Sequence, residues 1–242
     1  AAASAILATQ SVFAQTVNKP NPVRIGYTTP RSGAWTVGAQ TTQEPVYLFW
    51  ADIINEAGGL DVQGVKRPIE FIALDDNSEL DSCIRHYDNL MNNEKVDLIL
   101  PPWGNVANIN VAQLANRYQY PILHTSVFSQ KIVDLNLPFV FTVTPQPKVM
   151  ASALVSYLVD SGVKNIAVVY NDDLYSLENY ANFKLSLNKS KIKIVKDGSL
   201  SSNGSNTNNL LCISLCGIVS LLSFITRSSY IRISRSNVLG PQ

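Results

Sequence analysis

The segment Ala51-Asp-Ile-Ile-Asn-Glu-Ala-Gly-Gly-Leu60, followed by Pro68-Ile-Glu-Phe-Ile-Ala-Leu-Asp-Asp76, predicts one complete step of an α/β fold. The first stretch is typical of a helix that ends at Gly58-Gly59, because glycine readily adopts the left-handed conformation that closes a helix. The second stretch is typical of an apolar strand that ends in the carboxylates Asp75-Asp76. Open parallel sheets bind their ligands at the carboxyl ends of strands, so we expect a binding site at this edge.

Strand-like and helix-like segments alternate along the chain from residue 23 to residue 195. Apolar spacing predicts strands at 23–27, 69–74, 96–100, 121–124, 164–170 and 191–195, and helices at 44–57, 78–91, a stretch ending at 118, 150–159 and 174–187. Residues 28–38 are predicted to form a polar loop. Asn77 or Ser78 is a candidate cap for the second helix, and Asp172 or Asp173 for the last. This alternation is typical of a doubly wound α/β fold.

The composition narrows the class of protein. With 46% hydrophobic residues among 242, the chain can bury a substantial core. A formal net charge of +1, without runs of Lys or Arg, argues against nucleic acid as a partner. Cys83 stands alone until Cys212 and Cys216, so we expect no disulfide framework. Since no His/Cys cluster has metal-ligand spacing, we expect neither a metal nor a cofactor.

The two ends of the sequence differ in character from the rest. Residues 1–14 are interpreted as a signal peptide remnant, cut before Gln15, which implies export to the periplasm; a frayed Ala-rich end is the alternative. Residues 198–242 carry no acidic side chain, and 210–226 are uncharged and mostly apolar. We interpret 198–242 as a truncated or frame-shifted tail. A real hydrophobic tail, long enough for a short membrane span, and an unusual core segment are the alternatives.

These motifs together resemble the type I periplasmic binding proteins of branched-chain amino acid (Leu/Ile/Val) ABC transporters. The resemblance covers about residues 22 to 196 and depends on five motifs: Val23-Arg-Ile-Gly26, Pro30-Arg-Ser-Gly33, Asn55-Glu-Ala-Gly-Gly59, Asp75-Asp76 and Val168-Val-Tyr-Asn-Asp-Asp-Leu-Tyr175. It implies two Rossmann-like α/β lobes with parallel sheets, joined by three crossing strands, which close like a hinge on a small ligand.

The lobe boundaries follow from the run Phe139-Val-Phe-Thr-Val-Thr-Pro145, which interrupts the alternation and resembles a crossing segment. We therefore assign lobe one to residues 22–143 and a partial lobe two to residues 144–197. Only the first crossing is recognisable, so the second lobe is expected to be incomplete. Since much of the far wall of the cleft would then be absent, we expect this chain to bind a ligand weakly or not at all.

The candidate ligand-binding residues follow the predicted strands. In Trp103-Gly-Asn105, Gly104 permits close backbone approach, Asn105 offers a donor and an acceptor, and Trp103 offers an apolar wall or, alternatively, a core aromatic. In His124-Thr-Ser126, the resemblance implies contacts to the α-amino and carboxylate groups of a ligand. His124 is alternatively a structural, hydrogen-bonded histidine. Asp75-Asp76 could pair with a ligand ammonium or position a loop.

The resemblance adds residues on both sides of the cleft. Ser32 and Trp35 stand where the family closes the cleft, and Tyr175 of lobe two resembles a tyrosine that folds over the ligand. Tyr175 could alternatively pack within its own lobe. Two departures leave the ligand open: small Ser/Thr residues often stand where this chain has Trp103 and Asn105, and Cys83 alone cannot form the lobe-one disulfide. A branched-chain amino acid, another amino acid, an amide, urea and an aromatic ligand all remain candidates.

The leading hypothesis is a periplasmic solute receptor that delivers a small polar ligand to an ABC permease and performs no chemistry. An α/β enzyme is a weaker alternative, because the sequence has no Gly-x-Gly-x-x-Gly after its first strand, no phosphate-binding Gly-rich Lys loop and no Gly-x-Ser-x-Gly elbow. A membrane-tethered sensor ectodomain is a third reading, and it depends on residues 210–226 forming a span.

Overall fold

A computed structural model of the chain describes residues 20–201 and, for the backbone alone, residues 229–233. The predicted alternation of strands and helices is confirmed. The strands are β1 (Val23–Thr29), β2 (Leu60–Val62), β3 (Val65–Arg67), β4 (Ile69–Asp75), β5 (Leu98–Ile99), β6 (Ile122–His124), β7 (Val140–Thr142), β8 (Asn165–Asn171), β9 (Lys193–Leu200) and β10 (Ser229–Ile233). The helices are α1 (Thr36–Thr42), α2 (Glu44–Glu56), α3 (Leu80–Asn92), α4 (Asn105–Arg117), α5 (Gln130–Asp134), α6 (Pro147–Asp160) and α7 (Leu174–Leu187).

Lobe one is built on a parallel sheet with strand order β4-β1-β5. One face of this sheet packs on α2, in a cluster that includes Ile25, Ala51 and Ile69. The other face packs on α3 and α4, where the fully buried Tyr87 and Leu90 lie at the centre of the core. Helices on both faces of a parallel sheet are the arrangement that the alternating sequence predicts.

The strands β6 and β7 extend lobe one, and β7 lies within the segment 139–145 that was interpreted as a crossing between lobes. They pair in parallel, with His124 opposite Thr142. The hydroxyl of Tyr120, before β6, donates to the carbonyl of Val96, before β5 (2.8 Å), and the hydroxyl of Ser126, after β6, donates to the carbonyl of Pro102, after β5 (2.8 Å). The loops after β1, β5 and β6 therefore emerge at the same end of the lobe, where a site was expected.

Lobe two contains β8 and β9 in parallel, and the backbone of β10 pairs antiparallel with β8. Helices α6 and α7 pack together on a core that includes Leu158, Ile166 and Phe183. The last predicted strand was 191–195, whereas β9 in the structure begins at Lys193 and continues to Leu200. Its pairing with β8 has a register shift between Ile166 and Ala167. The change in composition after Asp197 therefore begins inside a strand.

The structure tests two predicted helix caps. Asp173 caps α7, as predicted, by accepting a hydrogen bond from the backbone N–H of Ser176 (2.8 Å). The predicted cap of α3 at Asn77 or Ser78 is wrong: both residues have positive φ angles, and α3 follows the N-cap Glu79. Asn77 and Ser78 instead form the turn that ends β4.

Several elements were not predicted, among them helix α1, the hairpin β2–β3 and helix α5. Helix α1 begins inside the segment 28–38 that was expected as a loop and continues beyond it. It was missed because its sequence, which contains Thr and Gly, lacks an apolar helical pattern. The hairpin β2–β3 turns at Gln63-Gly64, both with positive φ, which suits a two-residue hairpin turn.

The signal peptide interpretation of residues 1–14 and the apolar run 210–226 lie outside the described residues. None of the helices in the described part of the chain is long and apolar enough to cross a membrane.

Candidate functional site

Asp75 organises the loop after β1. Its carboxylate accepts hydrogen bonds from the backbone N–H groups of Arg31 (2.9 Å) and Asn77 (2.9 Å), and it lies 2.9 Å from the hydroxyl oxygen of Ser32. Slight burial opposes the charged form, but the N–H donors outweigh it and lower the pKa of Asp75. The hydroxyl of Ser78 donates to the carbonyl of Ser32 (2.7 Å). The loop that carries Ser32 is thus held in place by the end of β4.

The neighbouring Asp76 faces the interior. It is 5% exposed, and its carboxylate accepts from the hydroxyl of Thr28 (2.8 Å) and from the backbone N–H of Ser78 (3.0 Å). Burial raises the pKa of Asp76 despite these donors. The thiol of Cys83 lies 3.3 Å from the same Thr28 hydroxyl, and burial raises its pKa to about 12. A thiol with this pKa is protonated at neutral pH and is therefore a poor nucleophile.

An ion pair between the buried Glu44 and the partly exposed Arg31 holds the other side of the same loop. Glu44, at the start of α2, is 4% exposed and accepts from the Nε (3.0 Å) and Nη2 (2.5 Å) of Arg31. Burial alone would raise the pKa of Glu44, but the hydrogen bonds from Arg31 and Gln40 outweigh it and lower that pKa. Arg31 is therefore tied to the scaffold at both its backbone and its guanidinium.

Trp35 and Trp103 form an aromatic pair at the carboxyl ends of β1 and β5. Their ring centroids are 5.7 Å apart with an interplanar angle of 33°, and Trp35 remains 43% exposed. The indole N–H of Trp103 donates to the hydroxyl of Thr42 (3.3 Å). A Cβ placed on Gly38 would lie 2.5 Å from Trp103, so glycine is needed there for the ring to pack against α1. The pair presents an apolar, partly exposed surface.

Gly104 precedes α4 with a φ of +90°, a conformation that favours glycine. No side chain in the described part of the chain caps this helix, and its first turn carries no acidic residue. The first intrahelical bond joins the N–H of Asn108 to the carbonyl of Gly104 (3.1 Å). The preceding N–H groups at this helix end are suited to an anionic or carbonyl oxygen.

Asn105 is 7% exposed, and both functions of its amide are directed at Phe128. Its Oδ1 accepts from the backbone N–H of Phe128 (2.8 Å), and its Nδ2 donates to the carbonyl of Phe128 (3.2 Å). The Phe128 ring then contacts the ring of Tyr175 edge to face, at 5.8 Å between centroids and 78°. This contact joins lobe one to lobe two, where α7 also lies against α4.

His124 and Ser126 are held by Asn108 inside lobe one. Nδ1 of His124 lies 2.5 Å from Oδ1 of Asn108, while Nδ2 of Asn108 donates to the carbonyls of Pro102 (2.8 Å) and Gly104 (2.7 Å). The hydroxyl of Ser126 donates to Pro102 (2.8 Å). His124 is fully buried, and burial lowers its pKa to about 4. Its Nε2 finds no hydrogen-bond partner among residues 20–201.

The structure thus brings most of the predicted site residues together in a connected row. Trp35 contacts Trp103, Trp103 leads directly to Gly104 and Asn105, and Asn105 holds Phe128 against Tyr175. Ser32 lies beside this row on the loop after β1, whereas His124 lies beneath it in the core. The sequence analysis did not single out Phe128 or Asn108. The signal that could have indicated them is their position, since Asn108 is three residues after Asn105 and Phe128 is two residues after Ser126.

The described residues offer no metal-binding cluster at this site, and an open depression found among them lies elsewhere. Within residues 20–201, no group of three or more His, Cys, Asp or Glu side chains could hold a metal ion. An open depression of about 310 Å³ lies away from the row, in lobe two, between the end of α7 and β9; its lining includes Lys184, Leu187 and Ile192.

The family model described as periplasmic binding protein matches residues 22–211, which is more than half of the chain. Similar solved structures include a solute-binding protein of an ABC transporter from R. palustris in complex with benzoate. That structure has a TM-score of 0.68 and 19% identity, over 81% of this chain and 53% of that one. A branched-chain amino acid transporter substrate binding protein from Streptococcus pneumoniae, in complex with isoleucine, has a TM-score of 0.69 and 22% identity, over 81% and 54% of the two chains.

A substrate-binding periplasmic protein from Ralstonia solanacearum is also similar, with a TM-score of 0.67 and 18% identity over 80% of this chain and 53% of that one. At these identities the likeness establishes the fold. The chain spans about half the length of the solved structures that it matches.

Proposed function

The chain belongs to the periplasmic binding protein family, and on that premise we propose that it is an extracytoplasmic solute-binding protein of an ABC transporter. In this role it captures a small ligand between its lobes and delivers it to a membrane permease, without chemistry of its own. The observation that carries the proposal is the arrangement of two aromatic pairs, Trp35–Trp103 at the strand ends of lobe one and Phe128–Tyr175 between the lobes, which Asn105 links through its hydrogen bonds to Phe128.

We propose a ligand that combines a carboxylate or amide with an apolar or planar group. The tryptophan pair favours the apolar or planar part, because aromatic faces bury such groups with little loss of side-chain freedom. The open N-terminal end of α4, after Gly104, favours the oxygen-bearing end. An amino acid or a small related amide meets both requirements. The solved structures with isoleucine and with benzoate concern relatives of similar fold, and each of those ligands has the same two parts.

The three tryptophans of the chain permit a direct test. Trp50 lies on α2 against Phe71, with centroids 6.4 Å apart, so Trp50→Phe leaves only Trp35 and Trp103 as emitters. Titration of this variant with isoleucine, leucine, benzoate, a small amide and urea, into the millimolar range, is expected to give a saturable fluorescence change with at least one compound. A Kd of about 1 mM corresponds to about −4 kcal/mol, which this assay can detect.

The matched control adds Trp35→Phe and Trp103→Phe singly to the Trp50→Phe background. Either substitution is expected to weaken the response, because each removes part of the indole surface that contacts the ligand. No saturable response to any of these compounds would overturn the proposed ligand class. If chromatography showed that the chain converts a bound compound into a product, this result would contradict the receptor role and favour an enzyme.

A further inference from the structure

We propose that Asn105 is a positioning residue that sets the contact between the lobes through Phe128, rather than a direct ligand contact. The inference rests on the proposed function, because it concerns the same cleft. Both hydrogen-bonding functions of the Asn105 amide are directed at the backbone of Phe128, at 2.8 Å and 3.2 Å. A side chain with both functions directed at one backbone residue fixes that residue in orientation as well as in position.

The loop that carries Phe128 is anchored on either side of the aromatic ring. Val127 is fully buried in a cluster with Ala112 and Ile132, and its carbonyl accepts a hydrogen bond from the hydroxyl of Thr144 in the crossing segment. Ser129 is also fully buried and caps α5 by accepting from the N–H of Lys131 (3.2 Å). With its neighbours held inside, the Phe128 ring is left half-buried at the surface that faces lobe two.

The ring of Phe128 meets Tyr175 at the start of α7. The edge-to-face geometry, 5.8 Å and 78°, is the favourable arrangement for two aromatic rings. Tyr175 is the second residue of a helix whose cap, Asp173, is already in place. One loop therefore connects the start of α4, the crossing segment at Thr144 and the first turn of α7 in lobe two. A displacement of Phe128 by loss of Asn105 is expected to loosen the first turn of α7.

Amide hydrogen exchange of the ligand-free chain tests this coupling. Asn105→Ala is expected to speed the exchange of amides 125–129 by roughly tenfold, because it removes two hydrogen bonds to a partly buried backbone. It is also expected to speed the exchange of amides 174–177, in the other lobe, by roughly threefold, because it weakens the aromatic contact. Asn110→Ala is the control: it lies on the same helix and donates only to the carbonyl of Val106 (2.9 Å), so it should change neither segment.

Combining two substitutions shows whether Asn105 acts on α7 through Phe128 or by a general loosening of the fold. Phe128→Ala is expected to speed exchange at 174–177 by itself, and adding Asn105→Ala to it should have no further effect in lobe two. Additive effects of the two substitutions at 174–177 would overturn the proposal, as would a change at 125–129 that stops short of lobe two. If Asn105→Ala does not fold, Asn105→Asp takes its place: it keeps the acceptor for the N–H of Phe128 but loses the donor to the carbonyl of Phe128, so exchange at both segments should still be faster, by less than with alanine. Because no ligand is used, failure here leaves the proposed function standing.

Discussion

Lowering the pH is expected to destabilise this chain through His124. The ring is fully buried, its Nδ1 lies 2.5 Å from Oδ1 of Asn108, and its Nε2 finds no partner within residues 20–201. Asn108 directs its Nδ2 at the carbonyls of Pro102 and Gly104, so its Oδ1 is the acceptor and Nδ1 of His124 carries the proton. Protonation of Nε2 would place an unpaired charge in the core, which burial opposes.

The magnitude follows from the shift. Burial lowers the pKa of His124 from 6.5 to about 4 in the folded state, and each pKa unit is worth about 1.4 kcal/mol, so the difference amounts to about 3 kcal/mol. Between these two values the unfolded chain binds a proton that the folded chain does not bind. The free energy of unfolding contributed by His124 is therefore complete above pH 6.5 and falls as the pH decreases towards 4.

The assay is urea unfolding at a series of pH values for the natural chain and for His124→Asn. The asparagine amide can still donate to Asn108 but does not titrate, so its loss of ring packing is independent of pH. The difference between the two free energies of unfolding should change by about 3 kcal/mol across the interval from pH 7 to pH 4. Parallel curves for the two proteins would refute the reasoning, because other titrating groups are common to both.

Two further predictions concern glycines. Gly59→Ala should lower the free energy of unfolding by about 3 kcal/mol, since φ is +108° and a Cβ would lie 2.4 Å from the carbonyl oxygen of Arg67. Gly58 has a φ of +94° and no described atom within 4 Å of a Cβ, so Gly58→Ala should lower it by only about 1 kcal/mol. Equal losses in chemical denaturation would contradict this difference. Gly38→Ala should displace the Trp103 ring, alter the near-ultraviolet circular dichroism of tryptophan and lower the free energy of unfolding by about 1–3 kcal/mol. An unchanged spectrum would contradict the displacement of the ring.

The elements that the sequence predicted well depend on neighbouring residues. The stop at Gly58-Gly59 is confirmed by positive φ angles at both positions, and α2 ends just before it. The Asp173 cap depends on a hydrogen bond only three residues along the chain. Such features are visible in the sequence because the interacting groups lie within one turn of each other.

The missed elements depend on distant residues. Helix α1 has a poor helical sequence, yet Gly38 allows the Trp103 ring to pack directly against it. The segment Asn77-Ser78 suggested a helix cap, but Ser78 bonds to the loop carrying Ser32 and Trp35, more than forty residues earlier. Local propensity gave the wrong answer here because tertiary hydrogen bonds outweighed it.

The candidate site shows the same division. Trp103 and Asn105 could be singled out from their positions after a predicted strand, and Tyr175 from the family resemblance. The partner of Asn105, however, is Phe128, 23 residues away. His124 was expected as a ligand contact or as a structural histidine. The structure buries it completely against Asn108, which no local pattern indicated.

The sequence by itself determined the alternation of strands and helices and the glycine stop after α2, because periodicity, caps and turns act over a few residues. Its motifs also carried the resemblance to the family that the family model shows. Only the tertiary structure decided which polar groups satisfy one another and which aromatic rings remain at the cleft. Asp76 is directed at Thr28, and Asn105 at Phe128, because a buried polar group must find a partner wherever the fold brings one. Trp35 and Tyr175 keep exposed surface because their neighbours, not their own sequence context, set how far each ring is covered.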